Sequence, residues 1–235
     1  MTAAEVMAQL ETLGTEQTKK TFLRHGAREP FFGVKVGDLK VLQKKIKKDH
    51  ALALALYDTG NSDAMYLAGL ISDPKQMTKA QIQKWLKGAY WHMPAQYTVP
   101  WVAAESKFGA ELARAWVDSP KELTAVAGWF TWASLVGVTP DEELDLDELA
   151  ELLDRVQAKI HGARNREKYA MNNFIIAVGA FVEPLLVKAK AVAKAVGTVD
   201  VDHGDTSCKT PNALDYLTYV QSKRGIGKKR KSAMC

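Results

Sequence analysis

The 235-residue chain reads as an all-α stack of antiparallel helix pairs with a concave face, and three observations predict it. Apolar residues recur at three- and four-residue spacing along nearly the whole chain, the period of helices with one buried side. The one alternating stretch, Val199–Val201, is too short for a useful strand. Helix-ending prolines are regularly spaced: 46 residues separate Pro74 from Pro120, and 44 separate Pro140 from Pro184. Two-helix solenoid repeats run roughly 40–47 residues, so the spacing suits them.

The elements follow in order. Ala3–Leu13 and Thr15–Arg24 are two short helices broken at Gly14, with Thr15 as N-cap. Arg28–Gly33 is a turn carrying two phenylalanines. Val36–Lys48 is a helix whose buried stripe is Leu39, Leu42 and Ile46. His50–Asp58 and Ser62–Ser72 form a pair punctuated by Thr59-Gly60-Asn61 and closed by Asp73-Pro74. Thr78–Lys87 follows, with Thr78 as cap, and Pro94 suits the first turn of the next helix, where its missing N–H costs nothing. Glu105–Asp118 stops at Ser119-Pro120, and Leu123–Val136 at Thr139-Pro140. The acidic Asp141–His161 segment has a seam of Leu146, Leu149, Leu153, Val156 and Ile160, with acids first and cations last, matching the helix dipole. Arg164–Val178 and Val182–Val196 are the next pair, and Thr198–Cys208 is a polar loop. Pro211–Lys223 is the last helix, with Thr210 as cap. Residues 1–222 are expected to form one domain, and 223–235, with Lys228-Lys229-Arg230-Lys231, a disordered basic tail.

Composition narrows the function classes. The formal net charge is +5, which favours anionic partners. Two cysteines, Cys208 and Cys235, are too few for a disulfide framework and point to a reducing cytosol. The N-terminus lacks a signal-peptide pattern, and the uncharged run Leu123–Pro140 holds too many small and polar residues to span a bilayer. No membrane association is expected.

The centre of the chain carries its aromatic weight. All six tryptophans lie between Trp85 and Trp132, and Gly88–Ala104 contains no charged residue. Lysine and arginine are dense on either side. Two readings stand: an aromatic-lined surface facing a polyanion, or a core of large aromatics at helical spacing. Lys40, Lys44, Lys47 and Lys48 share one face of their helix, where mutual repulsion would be relieved by a polyanion or by solvent alone. Arg164, Arg166 and Lys168, beside Asn172 and Asn173, are further candidates for phosphate and sugar contacts, or for plain surface solvation.

Several segments, in order, resemble the DNA alkylation repair family of HEAT-like repeat proteins. They are FFGVKVGDLKVLQKKIKKDHALAL with LYDTGNSDAMYLAGLISDP, then IHGARNREKYAMNNFIIAVGAF, then VDVDHGDTSCKTPNALDYL. The resemblance covers about residues 15–222. It implies a curved HEAT-like solenoid that cradles duplex DNA, and in its best-known members a glycosylase. Such enzymes remove cationic alkylpurines such as 3-methyladenine or 7-methylguanine without extruding the base, unlike most base-acting enzymes. An aromatic face would bind the cationic base, a carboxylate would stabilise the sugar cation, and an arginine would hold the adjacent phosphate. Matched to this chain, the family pattern keeps Trp91 as the aromatic. It places Ala95 at the carboxylate, Val126 at the arginine and Asn173 at a second aromatic. An alanine cannot activate water and a valine cannot grip phosphate. Arg114 or Glu105 could substitute only if the register shifts by a turn. His92 is a candidate acid, base or phosphate donor, or a structural histidine.

Other chemistry is thin. Asp200, Asp202, His203, Asp205 and Cys208 are dense in ligand types. They do not make an EF-hand, because Gly204 falls at the fifth loop position and Pro211 at the twelfth. No metal and no cofactor are expected. The sequence therefore predicts a monomeric, cytoplasmic, nucleoid-associated binder of double-stranded DNA, alkylated or distorted. Its named contacts are Lys40, Lys44, Lys47, Lys48, Trp91, Arg164, Arg166, Lys168 and Asn173, with Trp91 and His92 as catalytic candidates. Three functions remain open: an alkylpurine glycosylase missing its acid, a non-catalytic binder of damaged, bent or branched DNA, and a protein–protein scaffold.

Overall fold

The computed structural model describes residues 1–223 and 225–234; Arg224 and Cys235 lie outside the described residues. Among the described residues there is no strand. The fold is all-α, a succession of packed helices as the sequence periodicity predicts, and contacts divide the chain into two compact units. The first unit comprises Met1–Phe108 with His203–Ser207 and Met234, and the second Gly109–Asp202 with Cys208–Ala233.

In the first unit, α1 (Ala3–Leu13) opens with a capping box between Thr2 and Glu5, and α2 (Glu16–Arg24) is capped by Thr15, whose side chain accepts from the Thr18 N–H. Next, α3 (Val36–Ile46) is two residues shorter than expected, because Lys47 turns to φ 66° and ends it. Then α4 (His50–Asp58) packs against α5 (Ser62–Ile71), and every residue of α5 is buried. Residue Asn61 caps α5 by accepting from the Asp63 and Ala64 N–H groups. After α6 (Lys79–Gly88), capped by Thr78, the chain forms one π-helical stretch, Pro94–Thr98, and runs into α7 (Val99–Glu105).

Sequence periodicity joined Glu105 to the following helix. The structure ends α7 at Glu105 and begins α8 (Gly109–Val117) in the second unit, with Ser106 bonding back to the Ala103 carbonyl. Helix α8 packs on α9 (Glu122–Val138) at Gly128, where an added Cβ would lie 2.6 Å from the Val117 nitrogen. Asp145 caps α10 (Leu146–Lys159), and Leu149, Leu153, Val156 and Ile160 are buried as its apolar seam requires. At the centre lies α11 (Asn165–Phe181), against α9 on one side and α12 (Leu186–Val196) and α13 (Ala213–Lys223) on others. The cap of α13 is Asn212, accepting from the Asp215 N–H, not Thr210.

The basic tail was expected to be disordered, yet its described part packs on the second unit. Gly227 N–H bonds the Ala180 carbonyl and Arg230 N–H the Gly137 carbonyl. Lys229 Nζ sits 2.7 Å from Asp141 and donates to the Val136 carbonyl at 2.9 Å. The Arg230 guanidinium lies over the Phe181 ring, and Ala233 is buried. The last turn of a helix leaves carbonyls without intrahelical partners and a partial negative charge, so a cationic segment completes the end of α9.

Candidate nucleic-acid interface

The tryptophans are not a surface. All six are buried, with at most 6 % of any one exposed. Trp91 illustrates why: its indole N–H donates to Ser62 Oγ at 2.7 Å, and its ring packs against Phe22 and within a small cluster of Ala27 and Phe31. A buried indole needs a partner for its one donor, and the capped start of α5 supplies it. The expectation that Trp91 faces DNA is corrected: it is a core anchor.

The loop around that anchor is held by a carboxylate. Asp63 accepts from the backbone N–H of Phe32 (2.6 Å), Gly33 (2.9 Å) and Val34 (3.2 Å). Gly33 has φ 81°, a left-handed conformation that glycine adopts without strain. Burial pushes the Asp63 carboxyl above its usual range, and the three N–H groups oppose that. Nearby, the Arg28 guanidinium donates to the Tyr90 carbonyl, and burial raises the Tyr90 phenol to about 12. His92 is half-buried, edge-on to Trp91, with the His25 ring 6.5 Å away.

The positions where the resemblance implied catalytic groups are filled by packing. Ala95 is fully buried in the π-helical stretch, and Val126 is fully buried in α9. Arg114 is held by Glu148 through two contacts, at 2.5 and 2.6 Å, and lies over the Trp132 ring. Asn173 is half-buried and donates to the Tyr169 carbonyl one turn back. Position 95, where the resemblance implied a carboxylate, carries only an alanine methyl.

The charged candidates divide sharply. On α3 and just past it, Lys44, Lys45, Lys47 and Lys48 are exposed and Lys40 is half-exposed. The early end of α3 removes Lys47 and Lys48 from the helical face assigned to them, but leaves all five lysines clustered in nine residues of chain. Among the described residues none of Lys40, Lys44, Lys45 and Lys47 forms an ion pair. Lys45 falls on the edge shared with Val41, toward a groove of about 460 Å³ beside α1.

Arg164 behaves oppositely. Its guanidinium pairs with Glu167 at 2.8 Å and donates to the Ser119 and Pro120 carbonyls, so it staples the start of α11 to the turn before α9. Arg166 lies over the Tyr169 ring at 5.0 Å, and its backbone N–H donates to Glu122. Lys168 is half-exposed. The Asp200–Cys208 stretch is organised by hydrogen bonds: the Asn165 amide clasps the Asp202 N–H and carbonyl at 2.7 and 2.8 Å. Among the described residues no group of three His, Cys, Asp or Glu side chains is placed to hold a metal.

The sequence profile of a family described as "DNA alkylation repair enzyme" matches residues 6–217. The chain belongs to the DNA alkylation repair family. It is similar to uncharacterised proteins of Listeria innocua and Listeria monocytogenes, each 33% identical over 95% of this chain and 99% of the relative. A solved structure, 39% identical and superposing at a TM-score of 0.90 over 100% of both chains, is described as "a new family of proteins related to the HEAT-like repeat DNA glycosylases with affinity for branched DNA structures". Among the described residues no helix is long and apolar enough to cross a membrane.

Charge is distributed unevenly in this member of the family. Residues 1–108 hold 15 Lys and Arg against 10 Asp and Glu, while residues 109–235 hold 17 against 17. The whole net charge of +5 therefore resides in the first 108 residues.

Proposed function

We propose that the protein binds branched or sharply bent double-stranded DNA and leaves the N-glycosidic bond intact. The observation that carries this reading is the set of lysines on and just after α3, Lys40, Lys44, Lys45, Lys47 and Lys48, clustered in the basic unit and for the most part without acidic partners. Like charges held this close repel one another, and a phosphate backbone relieves that cost while releasing its own counterions. The described affinity of the similar solved structure for branched DNA supports the same reading. Lys168 and Arg166 add contacts in the second unit. Arg164 and Trp91 do not, since their polar groups are already used within the fold.

The absence of base excision rests on Ala95 and Val126. An excision enzyme must stabilise a developing sugar cation, and both side chains are apolar and packed. On this reading the protein acts as a monomer at the nucleoid, in the cytoplasm, without a cofactor.

The test pairs two measurements on one preparation: binding to a fully paired four-way junction and to a linear duplex across a salt series, and release of 3-methyladenine and 7-methylguanine from alkylated duplex. Tighter binding to the junction is expected, with log affinity falling against log salt at a slope of roughly −4 for four or five phosphate contacts, and no base release. Base release abolished by His92→Ala would replace this reading with glycosylase activity.

A further inference from the structure

The molecule carries an exposed aromatic surface away from its tryptophans. Tyr216 and Tyr219, at 39% and 50% exposure, are the only exposed aromatic side chains among the described residues. Both stand on α13, with ring centroids 6.5 Å apart. The buried side of this helix is Ala213, Leu217 and Val220. At 100° per residue, Tyr216, Lys223 and Tyr219 fall on one adjoining stripe, with the lysine's azimuth between the two rings. Lys228 adds a second cation just past the helix, its side chain beside Gly225. One acid, Asp215, borders the stripe one turn before Tyr219.

From this stripe we infer that α13 is a stacking platform for unpaired nucleobases of a DNA strand, with Lys223 and Lys228 holding the adjoining phosphates. The inference rests on the DNA-binding reading above and names the feature of a branched substrate that this face would take. Base faces are flat and apolar while their backbone is anionic, so a platform for them needs exposed rings interleaved with cations. The two rings, with centroids 6.5 Å apart and planes tilted by 53°, each present an exposed face on which a base can stack. A protein partner fits less well. A fully exposed aromatic offers roughly 150–250 Å², so rings at 39% and 50% present at most about 220 Å². Stable protein interfaces bury about 800 Å² per partner.

The experiment uses the full chain and two probes: a fully paired four-way junction, and a three-way junction with an unpaired thymine arm containing one 2-aminopurine. Wild type is compared with Tyr216→Ala/Tyr219→Ala and with Tyr216→Phe/Tyr219→Phe. The alanine pair is expected to lose about tenfold or more in affinity for the unpaired arm and to restore 2-aminopurine fluorescence. The phenylalanine pair should keep both, and neither variant should change affinity for the paired junction. Unchanged affinity of the alanine pair for the unpaired arm overturns the platform while leaving junction binding in place. Failure of wild type to bind either probe overturns both readings. A change in oligomeric state by light scattering, with unchanged DNA affinity, would assign the stripe to a second copy of this chain and overturn the inference. Matched melting temperatures exclude misfolding, since both rings are on the surface.

Discussion

The two units carry cations in similar number and use them differently. In the second unit several are engaged by acids or aromatic rings, while Lys159, Lys194, Lys209 and Lys223 stay exposed. Arg114 pairs with Glu148, Arg155 with Asp118, Arg164 with Glu167, Lys188 with Asp154 and Lys229 with Asp141. Arg114, Arg155, Arg166 and Arg230 also lie over aromatic rings. In the first unit, Lys19 pairs with Glu29 and Lys84 with Asp58, while the α3 lysines stand clear. The lesson is that counting Lys and Arg locates a candidate interface poorly. What matters is the cation left over once the fold has used its share.

The sharpest way to break this comparison is to reverse charges in each unit. Lys40, Lys44, Lys45 and Lys47 changed together to Glu should lower junction affinity about a thousandfold at low salt, and flatten the salt slope by roughly 3 to 4. The matched change of Lys121, Lys159, Lys194 and Lys209 in the second unit should cost under about threefold. Equal losses from the two sets would sink the contrast between the units.

Next in size is Asp63→Ala. It strands three backbone N–H groups in a buried loop, so urea denaturation should show a loss of about 3 kcal/mol, with Asp63→Asn losing less. A loss below about 1 kcal/mol would mean that water reaches those donors. In the second unit, Arg164→Ala should cost about 1–2 kcal/mol of stability and leave DNA affinity unchanged. A drop in affinity at full stability would restore Arg164 as a phosphate contact.

The smallest effect is on acid stability. The hydrogen bond from Lys19 holds the Glu29 carboxyl below its usual range. A carboxyl whose folded value is depressed contributes stability that is present above its unfolded value and lost as pH falls through the folded one. Melting temperature should therefore fall from pH 5 toward pH 3, and Glu29→Gln should make that fall shallower. Identical slopes for wild type and variant would remove Glu29 from the account.

Much of the fold is legible because its signals are local. Thr15 and Thr78 cap helices where the sequence places them, since a cap reaches only three residues ahead. The α10 seam is buried as its spacing demands. The break between α7 and α8 was missed because Ser106–Phe108 contains no proline, and a serine bonding back to Ala103 leaves no strong mark in a single sequence. The candidate site was less legible. Lys40 and Lys44 are legible on the α3 face, but the sequence carries that face on to Lys47 and Lys48, past the end of the helix.

By itself the sequence determined most of the helices, several of their caps, the repeat spacing, the overall positive charge and the family. Each is set by contacts within a few residues or by a sum over the chain. Only the tertiary structure decided which of these groups remain available. Trp91 is removed from the surface by Ser62, 29 residues away, and Arg164 by carbonyls 44 and 45 residues away. The tail is fixed by the open carbonyls at the end of α9, 93 residues from Lys229. Partners so distant in the chain leave no period in the sequence, because burial and charge pairing depend on which faces meet.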